Sequence, residues 1–353
     1  MSFEQYLSEK RIAVPTPENV VDGAGRCYFG TFESEFEKMD FLKADHPSKL
    51  PNFMNKSRLT LWEACEIDFD KVTLLTAVCD MALFGTALTV LYDKRTKKCT
   101  SWQEMLIPAS KAVIAKNLLN GNETFSKGKK VKVRFVNNFQ QGKAIVSGTA
   151  DSKTDGMLDY RVELTRVSKP SIVSIPFGEN RPLYSQKDLF SVDGYIDYNG
   201  ERFHATAASA AIIDDHRGYY PRKSHYDWVT TMGYGTVNGE RKRFGFNLTR
   251  NQSIDQDDYN ENVLWLEGSS ERLAPVYFEH LDYDHWRIFD DYGTIDLDYQ
   301  IHDRNLVKFD LGVAKADYSI TFGDLKGFVT GEDGTKYEVD DTGIGEDRSM
   351  KLL

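Results

Sequence analysis

Strict two-residue alternation is the feature that most restricts what this chain can fold into. In KVKVRFV (130–136), Val131, Val133 and Phe135 fall on one face, and Lys132 and Arg134 on the other. In LDYRVEL (158–164), Leu158, Tyr160, Val162 and Leu164 share a face opposite Asp159, Arg161 and Glu163. A period of two with one wet face is the signature of a half-buried β-strand. Antiparallel sheets tolerate a wet face, whereas parallel sheets are covered on both sides.

The turns agree with the strands. Asn199-Gly200, Asn238-Gly239 and Asp333-Gly334 each separate two apolar runs, and such pairs supply the positive φ angles of tight hairpins. Some 16 to 20 strand candidates follow one another at the spacing of sandwiches and barrels. Helix is scarce: Phe3 to Glu9 forms one short candidate, and SWQEMLIPASKAVIAKNLLNG (101–121) is the best interior one, limited by Pro108 to about three turns. No fixed-period repeat points to a propeller or solenoid.

A chain of 353 residues suits about two domains. The segment 167–190 holds three of the ten prolines and little periodicity. It predicts an N-terminal β domain over 1–170, a linker over 171–186 and a C-terminal β domain over 187–353.

Charge excludes one class of partner. Lys and Arg total 44 against 54 Asp and Glu, a net −10, and such a chain repels phosphate backbones, so no nucleic-acid partner is expected. The N-terminus lacks the apolar core of a secretory signal, and no stretch is apolar enough for a membrane span, so a cytoplasmic location is expected. Cys27, Cys65, Cys79 and Cys99 have no CxxC spacing and read as thiols. The seven histidines form no HxH or HxxxH pair, so no metal is expected. No P-loop, GxSxG elbow or dinucleotide fingerprint is present, so no cofactor is expected either.

What chemistry remains is concentrated in IIDDHRGYYPRKSHYDWVTTMG (212–233). Asp214 and Asp215 follow a run of small apolar residues and, being adjacent on a strand, point to opposite faces. A carboxylate beside a buried strand needs a partner such as Arg217 or Arg222, or it rises in pKa and becomes a neutral acid. The first outcome is a structural network and the second a proton donor in an apolar pocket. Asn247 in RFGFNLTRN, then Glu261, Asn262 and Trp265 in YNENVLWLEG, read either as a hairpin rim with Trp265 in the core or as the mouth of the same pocket. In the N-terminal half, Trp62, Glu63 and Glu66 of RLTLWEACEID are the main polar-aromatic set, open to interdomain packing or substrate contact.

The order D-H-x-G-Y-x-P-R (215–222), Trp228, Gly233, G-x-N-L (245–248) and E-N-x-x-W-x-x-G (261–268) resembles the bacterial domain-of-unknown-function family 2804. HWRI (285–288), IDLDY (295–299) and GDLKGFVTGEDG (323–334) extend the resemblance over most of the chain. His216 stands where an aromatic is usual, and the tail GIGEDRSMKLL ends without the usual His and Trp. That family is similar to carotenoid hydratases of the hydroxyneurosporene synthase type, tocopherol cyclase and lipocalin-like cyclases. The resemblance implies an all-β fold of two tandem lipocalin-like (calycin) antiparallel barrels or sandwiches. It brings no activity of its own.

Two functions are consistent with this reading. One is a cofactor-independent enzyme on a hydrophobic isoprenoid or polycyclic molecule, using acid-initiated hydration, isomerisation or cyclisation. Asp215 would be the acid, with Asp214 and Glu261 next; His216 would polarise it or relay protons. Tyr219, Tyr220, Trp228 and Trp265 would line the pocket, and Asn247, Asn262 and Arg222 would orient the acid, a water or the substrate. The other is an intracellular binding protein for a lipophilic ligand, without chemistry.

Overall fold

The computed structural model describes residues 1–237, 239–310 and 314–352. The chain is nearly all-β, and two curled antiparallel sheets form a barrel and a half-barrel, as expected for two tandem barrels. In the first sheet the order across the path begins Lys98–Leu106, Gly85–Asp93, Val72–Asp80, Thr60–Asp68, Ala210–Gly218, Pro182–Tyr198 and Gly156–Arg166. It continues through Lys143–Ser152, Val131–Asn138 and Asn122–Ser126 to Ala112–Val113. The second sheet centres on Glu240–Arg250, Lys223–Val237, Lys336–Leu352, Ala314–Thr330 and Ile295–Asp310.

The alternation read from the sequence sorts side chains as expected. Val131, Val133, Phe135, Leu158, Tyr160, Val162 and Leu164 fill the first barrel's core, while Lys132, Arg134 and Arg161 are exposed. A second core fills the half-barrel, with Phe246, Trp286, Leu297 and Leu325. A third lies between the sheets, where Leu75, Leu88 and Ile212 meet Trp228, Trp265 and Phe322. The two sheets are therefore joined by apolar packing. Among the described residues no helix is long and apolar enough to cross a membrane.

Asn199 and Gly200 have φ of 52° and 84°, and Gly334 has 81°, as their hairpins require. Asn238, expected in a third such turn, lies outside the described residues. The N-terminal helix is Phe3–Glu9, opened by a capping box between Ser2 and Gln5.

Two expectations are corrected. No helix forms over 101–121; Lys98–Leu106 is a strand, followed by a single 3-10 turn at Ala109–Lys111. Trp102 and Leu106 are buried while Gln103 and Met105 are exposed, so burial here follows a period of two. Pairing with Gly85–Asp93 prevails over local helix preference. The stretch 171–186 is not a linker between sheets. Ser171–Pro176 is a strand paired with both Gly30–Phe32 and Pro182–Tyr198, and Pro182–Tyr198 and Ala210–Gly218 both belong to the first sheet. The chain passes between sheets after Gly218 and before Lys223. Proline is tolerated here because Pro176 and Pro182 sit at strand ends.

On Pro182–Tyr198, Gly194 lies between the pairing with Ala210–Gly218 and the pairing with Glu201–His204. Gly194 has φ of 132°, and a Cβ there would lie 2.2 Å from the Arg161 carbonyl oxygen. Gly194→Ala is expected to cost about 3 kcal/mol or more, read as a lowered denaturant midpoint.

Candidate functional site

Cross-strand register assembles the site. On Ala210–Gly218, Asp214 pairs with Lys187 and Ala64, His216 with Ser185 and Trp62, and Ile212 with Glu66. Directly opposed residues share a face, so Ser185, Lys187, Asp214, His216, Trp62 and Glu66 all project towards the second sheet. On that sheet Tyr226 pairs with Arg348 and Trp228 with Glu346, while Tyr318 pairs with Arg348. Glu261 comes from the connection between Glu240–Arg250 and Val263–Leu266. Between these two faces lies a pocket with about 1150 Å³ of empty space, mouth included. Its apolar wall includes Leu75, Ala77, Leu88, Phe177 and Leu183.

One end of the pocket holds a compact polar network. Lys187 Nζ lies 2.8 Å from Glu261 Oε2 and 3.6 Å from Asp214 Oδ2. Ser185 Oγ donates to Glu261 Oε2 at 2.7 Å. His216 Nε2 lies 2.8 Å from Ser185 Oγ, 3.1 Å from Glu261 Oε2 and 3.3 Å from Asp214 Oδ1. Burial works to raise the Glu261 carboxyl, but Lys187 and His216 outweigh it and hold it well below the usual carboxylate range. Burial likewise works against the charge on Lys187, and the carboxylates of Asp214 and Glu261 reverse this and keep it a cation. An N–H on Nε2 matches the acceptors around it. His216 Nδ1 is buried and has no hydrogen-bond partner among the described residues.

Glu66 behaves in the opposite way. It is 2% exposed, and among the described residues its Oε2 has no hydrogen-bond partner and no arginine pairs with it. Burial first, then the neighbouring Asp214 charge, push it well above the ordinary glutamate value against the pull of Lys187. Burial thus favours the neutral form of Glu66, which lines the pocket. Glu346 is also raised, chiefly by burial, although Tyr226 Oη donates to it at 2.8 Å and Tyr318 Oη donates to its other oxygen. Trp62 stacks on Tyr220 at 5.6 Å and tilts against His216 at 4.6 Å, forming an aromatic wall.

The structure brings Asp214, His216, Glu261, Tyr220 and Trp228 to this pocket. It places Asp215 elsewhere. Asp215 faces the first barrel's interior in a bidentate bridge, with Arg217 Nε 2.8 Å from Oδ2 and Nη2 3.1 Å from Oδ1. Asn247 backs the pocket by accepting from Trp228 Nε1 at 2.5 Å. Asn262 is used in backbone bonds to Thr249 and Ala274. Trp265 is core. Tyr219 donates to the Phe41 carbonyl within a separate cluster, and Arg222 is exposed. Ser185, Lys187, Glu346 and Arg348 were not singled out by motif. In sequence they lie within two unbroken polar runs, SQKD (185–188) and EDRS (346–349), which do not mark which residues face the pocket.

Beyond the bridge, the barrel interior holds a second neutral acid. Burial, then the Asp215 charge, push Glu63 up to about 8, and Asn137 Nδ2 donates to its Oε1 at 2.7 Å. The folded protein keeps a proton here that the unfolded chain, titrating near 4.5, releases. Its contribution to stability is complete below that unfolded value and is lost as pH rises to about 8. Glu63→Gln is expected to flatten this slope and raise stability at the alkaline end, measured as denaturant midpoints across pH.

Among the described residues, His225, Asp227 and Asp347 form a group able to hold a metal ion, with ligand atoms within 4.8 Å of one another. Each already has protein partners: His225 bonds Ser349 and Asp227, His280 bonds Asp227, and Asp347 lies 3.7 Å from His225. None of these residues lines the pocket.

A family model described as Domain of unknown function (DUF2804) matches residues 11–352. Among solved structures, a candidate AttH from Nitrosomonas europaea aligns with a TM-score of 0.51 and 12% identity, over 83% of this chain and 93% of that one. CghA aligns with a TM-score of 0.50 and 10% identity, over 99% and 96%. Kievitone hydratase from Nectria haematococca aligns with a TM-score of 0.46 and 9% identity, over 82% and 88%. At these identities the likeness is one of fold. No curated protein sequence matches the chain.

Proposed function

Since the chain belongs to the DUF2804 family, whose description carries no activity, we propose from the pocket itself that it is a proton-transfer enzyme acting on a hydrophobic small molecule. The observation that carries this reading is Glu66, a buried carboxyl lining the pocket with an orphan oxygen and, among the described residues, no arginine partner.

The reaction is acid-initiated. Glu66 gives its proton to an sp² carbon, and the alkene π pair becomes the new C–H bond. Aromatic faces of Trp62, Tyr220 and Trp228 attract the developing cation. The cation then loses a proton to His216 Nδ1, completing an isomerisation or cyclisation, or takes up water whose proton goes to the same nitrogen, completing a hydration. His216 then releases its proton to solvent and solvent reprotonates Glu66, which restores both groups. Lys187, Ser185, Asp214 and Glu261 keep the His216 proton on Nε2, so they position the base.

The test uses protein purified from its source cells together with the apolar extract of those cells, incubated in D₂O. The expected result is a small molecule that gains carbon-bound deuterium only when wild-type protein is present. A ligand that is seen bound by native mass spectrometry, yet leaves unmodified and undeuterated, would sink the enzyme reading in favour of a carrier.

A further inference from the structure

Resting on the same pocket, we propose that its ligand is amphiphilic: an apolar body with a carboxylate head, received by Arg348. Arg348 lines the pocket and is 6% exposed. Its guanidinium lies over the rings of Tyr220, Tyr226 and Trp62 at 5.0, 5.4 and 5.8 Å. Among the described residues no carboxylate lies within ion-pair distance of it. Nη1 has no hydrogen-bond partner at all, and Nη2 meets only the Met350 thioether at 3.3 Å, a weak acceptor.

The three rings offset part of the cost of burying this cation but accept none of its planar N–H bonds. Glu346, two residues away on the same face, does not serve, because its oxygens are taken by the hydroxyls of Tyr226 and Tyr318. What is left is a buried guanidinium lining the pocket, with one nitrogen unpartnered and the other on a thioether, and its planar fork is the shape that grips a carboxylate with two parallel bonds. A phosphate head is disfavoured by its second charge. Asp214 and Glu261 already stand in the same pocket, with Lys187 committed between them.

The probes are farnesoic acid, farnesol and farnesyl phosphate, which share one apolar body and differ in the head group. Binding is measured by isothermal titration on the full chain. Wild type is expected to favour the acid over the alcohol by roughly tenfold to a hundredfold, with the phosphate weaker than the acid. Arg348→Met, which keeps bulk within the aromatic box, is expected to erase the preference for the acid while leaving the alcohol unchanged. Arg348→Lys is expected to keep only part of it, because the fork is lost. No acid preference in wild type, or a preference that survives in Arg348→Met, overturns the proposal, and tighter binding of the phosphate overturns the carboxylate assignment. The wild-type comparison decides even if a variant fails to fold. Selective acid binding with no deuterium incorporation defeats the catalytic reading and leaves this one standing; incorporation without acid preference does the reverse.

Discussion

Glu66→Gln is expected to stop turnover by a factor of roughly 10² to 10⁴ while the ligand stays bound. The substitution is close to isosteric, and it replaces a carboxyl whose burial already favours the neutral form, so the pocket keeps its shape. Only the transferable proton is lost. Burial, then the Asp214 charge, push Glu66 well above the ordinary glutamate range, so wild-type activity is expected to fall as pH rises through that elevated value. Stability should not drop in the variant. The unfolded chain no longer gains by releasing a proton from this position, so at neutral pH the variant should unfold at equal or higher denaturant. Deuterium incorporation gives the rate, and isothermal titration with farnesoic acid gives the binding. A Glu66→Gln protein that incorporates deuterium as fast as wild type removes Glu66 from the chemistry.

Much of the fold was legible because it is written in local period and turn chemistry. Val131 to Phe135 and Leu158 to Leu164 alternate cleanly since one face meets the barrel core and the other meets water. The same rule stated that Asp214 and Asp215 diverge, and they do. It could not state which one meets the pocket. Ala211 and Ile213 pack inside the barrel, and Ala210 and Ile212 pack between the sheets. With both faces of this strand apolar, nothing in the run distinguishes inside from outside. Glu63 and Glu66 pose the same puzzle: their odd spacing separates them, and only the register with Ile212 and Asp215 assigns each its side. Lys187, Glu346 and Arg348 reach the pocket from strands distant in sequence, so no spacing rule connects them. The linker was misread because proline and weak periodicity also describe a strand whose both faces are covered, and most of Ser171–Pro176 and of 182–190 is buried.

Arg217→Met is expected to destabilise the fold by about 3–5 kcal/mol, making it the costliest single change considered for the barrel interior. Arg217 and Asp215 are 3% and 0% exposed and share two hydrogen bonds, and Arg217 also donates to the Lys116 carbonyl at 3.0 Å. Burial already raises Asp215 even against Arg217's attraction. Without the guanidinium, Asp215 has no compensating charge, and Glu63 beside it is held neutral and cannot help. The loss should therefore shrink on acidification, as Asp215 takes up a proton and ceases to be a buried anion. The double variant Asp215→Leu/Arg217→Met should recover most of the stability at neutral pH, because an apolar pair of similar volume leaves no charge stranded. The double variant also separates the two aspartates by role. If Asp215 only braces the barrel, the refolded double variant incorporates deuterium at near the wild-type rate, whereas Glu66→Gln does not. A stable double variant without activity would return Asp215 to the reaction and place the acid on the opposite face of the strand from the pocket.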